Sequence, residues 1–253
     1  MSLKFSPNLN IFFKDVPFPE RIAKAAALGF QQVEFWGWWD EDVDAIAKAA
    51  QESKVTIAAF CTKFVSLVDA SQRAEYLAGL QETLQVAAKL GCHTLISQVG
   101  NELPGVQRAE QHASLVAGLK AAAPLLAEAG VTLVIEPLNL LVDHAGYYLS
   151  RSDEAFDVVR EVGSPHVKVL FDIYHQQITE GNLISNIRKG AALIGHYHIA
   201  DNPGRGEIGT GEINYPNVFK AIEATGYQGC VGVELFPAHG SDEAALQGVL
   251  GLE

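Results

Sequence analysis

Positive charge is scarce in this sequence: 18 lysines and arginines stand against 30 aspartates and glutamates, a formal net charge of −12. Nucleic-acid binding draws on basic patches that neutralise phosphates, so the balance argues against such a partner, although one buried Arg can still dominate a small pocket. Cysteine is scarcer. Cys61, Cys92 and Cys230 are odd in number and far apart, with no Cys-x-x-Cys, so buried free thiols in a reducing compartment are expected, not a zinc or disulfide framework. No apolar run approaches the roughly 20 residues of a membrane helix. The opening segment, Met1 to Asn8, lacks the apolar stretch of a signal peptide, and a cytoplasmic protein is the expectation. Charged residues make up only 19%, against 48% hydrophobic and a mean hydropathy of +0.11, which excludes a disordered chain.

What is present is a regular alternation. Strand-like runs at Phe5–Phe12, Val33–Trp36, Val55–Phe60 and His93–Val99 are separated by helical stretches at Pro17–Leu28, Asp40–Ser53, Ser71–Leu90 and one ending at Ala129. Gly29, Gly91 and Gly130 close three of these helices, as glycine does at left-handed caps. The second half repeats the rhythm with strands at Val131–Glu136, Val167–Asp172, Leu193–Ala200 and Cys230–Glu234, and helices at about 152–162, 183–190, 215–225 and after Ser241. Alternation of this kind implies parallel strands joined by right-handed crossovers. Eight units in 253 residues predict an α/β protein whose whole chain, 1–253, is one (β/α)8 TIM barrel domain. No Gly-x-Gly-x-x-Gly follows the first strand, which weakens a dinucleotide-binding reading.

In such a barrel, functional groups gather at the C-terminal ends of the strands. Glu136, Asp172, His198 and Glu234 stand at or near that end on four successive strands, among Val, Ile and Leu. Any one carboxylate there can simply cap the next helix or pair with a neighbouring Arg. Four together are different, because buried charges must be paired or coordinated and these strands offer only Lys168 as a cation. A divalent metal solves this economically. Three carboxylates and one imidazole form a mostly hard ligand set, suited to Mn²⁺ or Mg²⁺ and tolerant of Co²⁺. His196 shares a strand face with His198 but lies deeper, as a second-layer barrel residue. His175, three residues past Asp172, belongs to the following loop and is placed to reach substrate instead of the ion.

The segments Glu136-Pro137-Leu138-Asn139 and Phe171-Asp172-Ile173-Tyr174-His175, with the loop running from Ala200-Asp201-Asn202-Pro203-Gly204-Arg205 to Gly209-Thr210-Gly211-Glu212-Ile213-Asn214-Tyr215, resemble the hydroxypyruvate isomerase family of xylose-isomerase-like barrels. The resemblance covers essentially the whole chain. It implies Glu136 and Glu234 as an acid/base pair that also ligates metal, Asp172 as a ligand only, and Arg205 and His175 as substrate contacts. The chain departs from that family at His198, where hydroxypyruvate isomerases tend to carry Gln and the related sugar epimerases carry His. The end of the second strand, Phe35-Trp36-Gly37-Trp38-Trp39, is also unusually rich in tryptophan. Leu140-Leu141-Val142 stands where epimerases have a second carboxylate.

The expected chemistry is removal of a proton α to a carbonyl, with a divalent ion stabilising the enolate charge and two glutamates moving the proton. The cis-enediolate serves isomerisation of a small 2-oxo acid, either hydroxypyruvate to tartronate semialdehyde or a 2-oxo-tetronate. It serves a ketose 3-epimerase equally, and a keto-polyol dehydratase begins in the same way. Arg205, on a loop with four glycines that reads as a lid, either clamps a substrate carboxylate or pairs at the surface with Glu207 or Glu212. Trp36, Trp38, Trp39, Phe12 and Phe64 divide between pocket wall and core in a way the sequence does not sort. A phosphodiesterase of the endonuclease IV type would need further histidines at earlier strand ends, which here offer Cys61 and Gln98. Expected partners are a small-molecule substrate, without nucleic acid or membrane, and a homo-oligomer stays open.

Overall fold

The computed structural model describes residues 3–252; Met1 and Ser2, the start of the Met1–Asn8 segment that lacks the apolar stretch of a signal peptide, and Glu253 lie outside the described residues. Eight strands run β1 (Lys4–Pro7), β2 (Gln32–Phe35), β3 (Thr56–Cys61), β4 (Thr94–Ser97), β5 (Thr132–Ile135), β6 (Val167–Asp172), β7 (Ile194–Ile199) and β8 (Cys230–Val233). All pair in parallel, in the order β1-β8-β7-β6-β5-β4-β3-β2. The ends of that order meet where Asn8 bridges Glu34 and Leu9 N–H donates to the Glu34 carbonyl at 2.8 Å, closing a (β/α)8 barrel.

Helices α1 (Phe18–Ala27), α2 (Val43–Ser53), α3 (Arg73–Leu90), α4 (Arg108–Ala129), α5 (Ser152–Val162), α6 (Ile173–Thr179), α7 (Leu183–Gly190), α8 (Tyr215–Ala224) and α9 (Asp242–Leu250) surround it. Most of the apolar core lies between helices and strands, with Ile22, Leu80, Leu119, Leu133, Phe156 and Ile222 among its fully covered side chains. A separate small cluster, Ala59, Cys61, Ile96, Val134 and Leu170, consists of strand residues that alternate with helix-facing ones and so fill the barrel interior. All three cysteines are buried free thiols. Among the described residues, no helix is long and apolar enough to cross a membrane.

Several boundaries differ from the sequence expectation, each for a local reason. The first strand stops at Pro7, not Phe12, because Asn8 turns the chain: its Oδ1 accepts from Asn10 N–H at 3.0 Å and its carbonyl from Ile11 N–H at 3.0 Å. The second helix starts at Val43, not Asp40, because Asp42 is its cap and accepts from Ala45 N–H. The described residues hold nine α-helices where eight were expected, besides a single 3₁₀ turn at Ala70–Gln72 that leads into α3. The additional one, α6, springs directly from the end of β6.

Candidate metal centre and active site

Parallel register sets which side chains share a level at the barrel mouth. Asp172 on β6 pairs with His198 on β7, and His198 with Gly232 on β8, while Glu136 and Glu234 directly follow β5 and β8. On β7 the register slips by one residue at Gly195, so that His196 and His198 are both buried within the barrel. The four sequence-predicted ligands come together: Glu136, Asp172, His198 and Glu234 are buried, and one donor atom from each lies within 4.8 Å of the others.

His198 Nδ1 stands 3.6 Å from Glu234 Oε2, 3.7 Å from Glu136 Oε1 and 4.0 Å from Asp172 Oδ2. His198 Nδ1 and Glu136 Oε1 are buried without a hydrogen-bond partner. Orphaned buried donors and acceptors are costly. Three carboxylates converging with an imidazole nitrogen on one point form a donor set that a hard divalent cation would satisfy, so the residues fit such an ion.

Asp172 combines two readings that looked exclusive in the sequence. One oxygen, Oδ1, accepts from His175 N–H at 3.1 Å and caps α6, leaving Oδ2 to face the cluster. Glu234 is the most heavily oriented of the four. Its Oε1 accepts from Trp36 Nε1 at 2.6 Å and Asn8 Nδ2 at 3.0 Å, and its Oε2 accepts from Arg205 Nη2.

Burial raises the Glu136 carboxyl, and the Glu234 and Asp172 charges add to that, against the lowering effect of His198. Burial would raise Glu234 as well, but His198 and Arg205 hold it well below the carboxylate range. For His198 burial favours the neutral ring, yet Glu234 and Glu34 outweigh it and raise its pKa.

Glu34 was missed at the sequence level. It is fully buried on β2, with Oε2 accepting from Ser6 Oγ at 2.9 Å and 3.0 Å from His196 Nε2, and with Oε1 3.1 Å from His198 Nε2. His198 therefore turns Nδ1 to the carboxylates and Nε2 to Glu34, the arrangement by which an outer carboxylate orients a ligating histidine. The signal was available: a glutamate between Val33 and Phe35 in an otherwise apolar strand. His196 takes the deeper layer foreseen for it.

Arg205 does not pair with Glu207 or Glu212. Glu207 accepts from the N–H groups of Ala238 and His239, and Glu212 from Gln177 and Asn202. The guanidinium instead turns inward between the Tyr174 and Phe236 rings, donating to Glu234, with Asp172 Oδ2 at 3.7 Å. Buried Asp201 anchors its loop by accepting from Gly209 N–H and Ile213 N–H. His175 is buried, with Nδ1 on Asn139 Nδ2 at 2.7 Å and Nε2 unpartnered.

These groups border a cavity of about 280 Å³ whose remaining wall includes Trp36, Cys61, Phe64, Gln98, His144 and Phe236. The aromatic residues left unsorted by the sequence now separate: Trp36 and Phe64 line the cavity, Trp39 stacks edge-on against Phe64, Trp38 packs partly buried against the core, and Phe12 is core. Phe236 and His144 were missed. The loop at Leu140–Val142, which lacks the second carboxylate of the epimerases, is exposed, but Asp143 directly after it turns back to accept from Asn139 Nδ2 at 2.7 Å.

Comparison with known proteins supplies three further findings. The pattern of the family described as xylose isomerase-like TIM barrel matches residues 22–251. Hydroxypyruvate isomerase of Escherichia coli is 35% identical, covering 93% of this chain and 94% of its own; 2-oxo-tetronate isomerase of Cupriavidus necator is 31% identical, covering 94% of each. A crystal structure of an AP endonuclease, family 2, from Brucella melitensis superposes with a TM-score of 0.92 at 33% identity over 96% of both chains.

Proposed function

The chain belongs to the xylose isomerase-like TIM barrel family, and on that footing we propose that it is a metal-dependent isomerase of a small 2-oxo acid, hydroxypyruvate or a 2-oxo-tetronate. The observation that carries the reading is the buried Glu136–Asp172–His198–Glu234 cluster at the mouth of the barrel, next to a small cavity. A space of about 280 Å³ lies at the lower end for ligand sites and suits a three- or four-carbon acid.

Glu136, Asp172, His198 and Glu234 would hold one divalent cation, Mn²⁺ or Mg²⁺, which supplies Lewis-acid stabilisation of negative charge on the substrate oxygens when bound. Glu136, the more basic carboxylate, is placed to take the proton from the carbon beside the carbonyl. Glu136 then delivers that proton to the neighbouring carbon, while Glu234, ionised and fixed by Trp36, Asn8 and Arg205, relays the hydroxyl hydrogen. One C–H bond breaks, another forms on the former carbonyl carbon, and the hydroxyl hydrogen shifts between the two oxygens through a cis-enediol. Arg205 at the cavity edge meets the substrate carboxylate, and Trp36, Phe64 and Phe236 wall the space around it.

Glu136→Gln and Glu234→Gln are each expected to lower kcat for hydroxypyruvate at least about a thousandfold, with the fold intact by circular dichroism. EDTA should stop turnover and Mn²⁺ restore it. Full activity in either variant, or indifference to chelation, contradicts the proposal.

Ketose 3-epimerisation is the second reading, favoured by His198 in place of the glutamine usual in hydroxypyruvate isomerases. Arg205→Ala separates the two by KM: it should rise about tenfold or more for an acid substrate and change little for a neutral ketose, while kcat falls for both because Glu234 loses its Arg205 contact. Phosphodiester cleavage, suggested by the name of the Brucella protein, lacks support in the wall residues. Cys61 and Gln98 stand where further histidines would be needed, and the chain carries a net charge of −12.

A further inference from the structure

Asn139, next in sequence to the cavity residue Leu138 and in contact with His175, is fully buried, and every hydrogen-bonding position of its amide is filled. Its Oδ1 accepts from Val142 N–H at 2.9 Å and Asp143 N–H at 3.2 Å. Its Nδ2 donates one hydrogen to Asp143 Oδ2 at 2.7 Å and directs the other to His175 Nδ1 at 2.7 Å. Reversing the amide would set its NH₂ against two backbone N–H donors and its oxygen against a carboxylate, so the orientation is determined. The Asn139 backbone N–H also points at His175 Nδ1, at 3.4 Å. Two donors aimed at one ring atom require a nitrogen lone pair there.

The ring proton of His175, a residue that lines the cavity, therefore resides on Nε2, which is buried without a hydrogen-bond partner, 3.7 Å from Asp172 Oδ2. The ring has no freedom to do otherwise. Its backbone is held in the first turn of α6 by Asp172, and the rings of Tyr174 and His144 lie edge-on to it at 5.3 Å and 5.2 Å.

We propose that Asn139 is a positioning residue that locks His175 as the Nε2–H tautomer, making His175 a neutral, one-way hydrogen-bond donor to a substrate oxygen. The inference builds on the isomerase reading, since that oxygen is one that gains negative charge in the enediolate. It also assigns the proton traffic: with Nδ1 already accepting, His175 steadies the oxygen and leaves carbon deprotonation to Glu136.

The test exchanges the two polar partners, Asn139→Asp with Asp143→Asn. Net charge and the side-chain hydrogen bonds are kept, but a carboxylate now faces His175 Nδ1 and draws the proton to that atom, at the expense only of the long 3.4 Å contact from the backbone N–H of position 139. Imidazole ¹⁵N shifts, with the His175 signals assigned by their loss in His175→Gln, should show a protonated Nε2 and a bare Nδ1 in the unaltered protein, and the reverse in the exchange variant. The expected kinetic consequence is a fall in kcat for hydroxypyruvate of about 10- to 100-fold, with KM changed less. A wild-type His175 protonated on Nδ1 overturns the proposal, and so does an inverted tautomer at unchanged kcat. The wild-type spectrum tests the tautomer even if the exchange variant does not fold. Wild-type protein that turns over no 2-oxo acid, yet shows the Nε2–H tautomer, would instead refute the substrate assignment and leave the tautomer standing.

Discussion

A Cβ built at Gly232 would fall 2.2 Å from Glu34 Oε1 and 2.5 Å from His198 Cδ2, so β8 has no side chain at this level because Glu34 and His198 fill the space. Gly232→Ala must push the pair apart, costing about 1–3 kcal/mol of stability as overpacking does. It should also weaken Mn²⁺ binding, because His198 loses its support; unchanged metal affinity by calorimetry would show that the Glu34 contact does not matter. Protonation gives a second test at this scale. Burial raises Glu136, and for His198 the raising effect of Glu234 and Glu34 exceeds the lowering effect of burial, so both groups tend to keep protons in the metal-free protein. A metal ligand must give its proton up. Mn²⁺ binding should therefore release protons, and affinity should rise with pH through neutrality. Calorimetry in two buffers of different ionisation enthalpy measures the release, and a value of zero would count against these four ligands.

At the scale of elements, the end of β6 joins strand, helix and site through a single side chain. Asp172→Asn keeps an acceptor for His175 N–H and should leave stability near wild type in EDTA while metal binding falls. Asp172→Ala removes the cap as well and should cost about 1 kcal/mol more. Equal melting temperatures for the two variants would show that the cap contributes nothing. The same junction explains how far the sequence could be read. Strand-ending carboxylates such as Glu136, Asp172 and Glu234 are legible because they interrupt apolar runs at a fixed point in a repeating unit. Glu34 breaks its run equally visibly, but its role depends on Ser6, His196 and His198, which only barrel closure brings to it. Asn139 was visible within its motif, yet its task rests on loop hydrogen bonds that carry no periodic signal. Helix α6 was overlooked because, at seven residues, it is too short to show an apolar stripe.

For the molecule as a whole, the barrel interior is divided. The apolar cluster of Ala59, Cys61, Ile96, Val134 and Leu170 occupies the side formed by β3 to β6, while Ser6, Glu34, His196 and His198 form a polar column against β1, β2, β7 and β8. The four candidate ligands come from consecutive strands β5 to β8, so an ion held among them ties half the barrel together. Mn²⁺ at about a hundred times its Kd should add about 2.7 kcal/mol, equivalent to about 5–10 °C in Tm for a chain of this size. Glu136→Gln should lose most of that gain in thermal melts. The closing seam has its own consequence for a chain made from one end. During synthesis β1 emerges first, yet its strand partner β8 is almost the last to appear, and the bonds from Asn8 and Trp36 to Glu234 span the same interval. A ribosome-bound chain lacking β8 has an unpaired β1 edge and no complete ligand set, so closing the sheet and acquiring the site are one event.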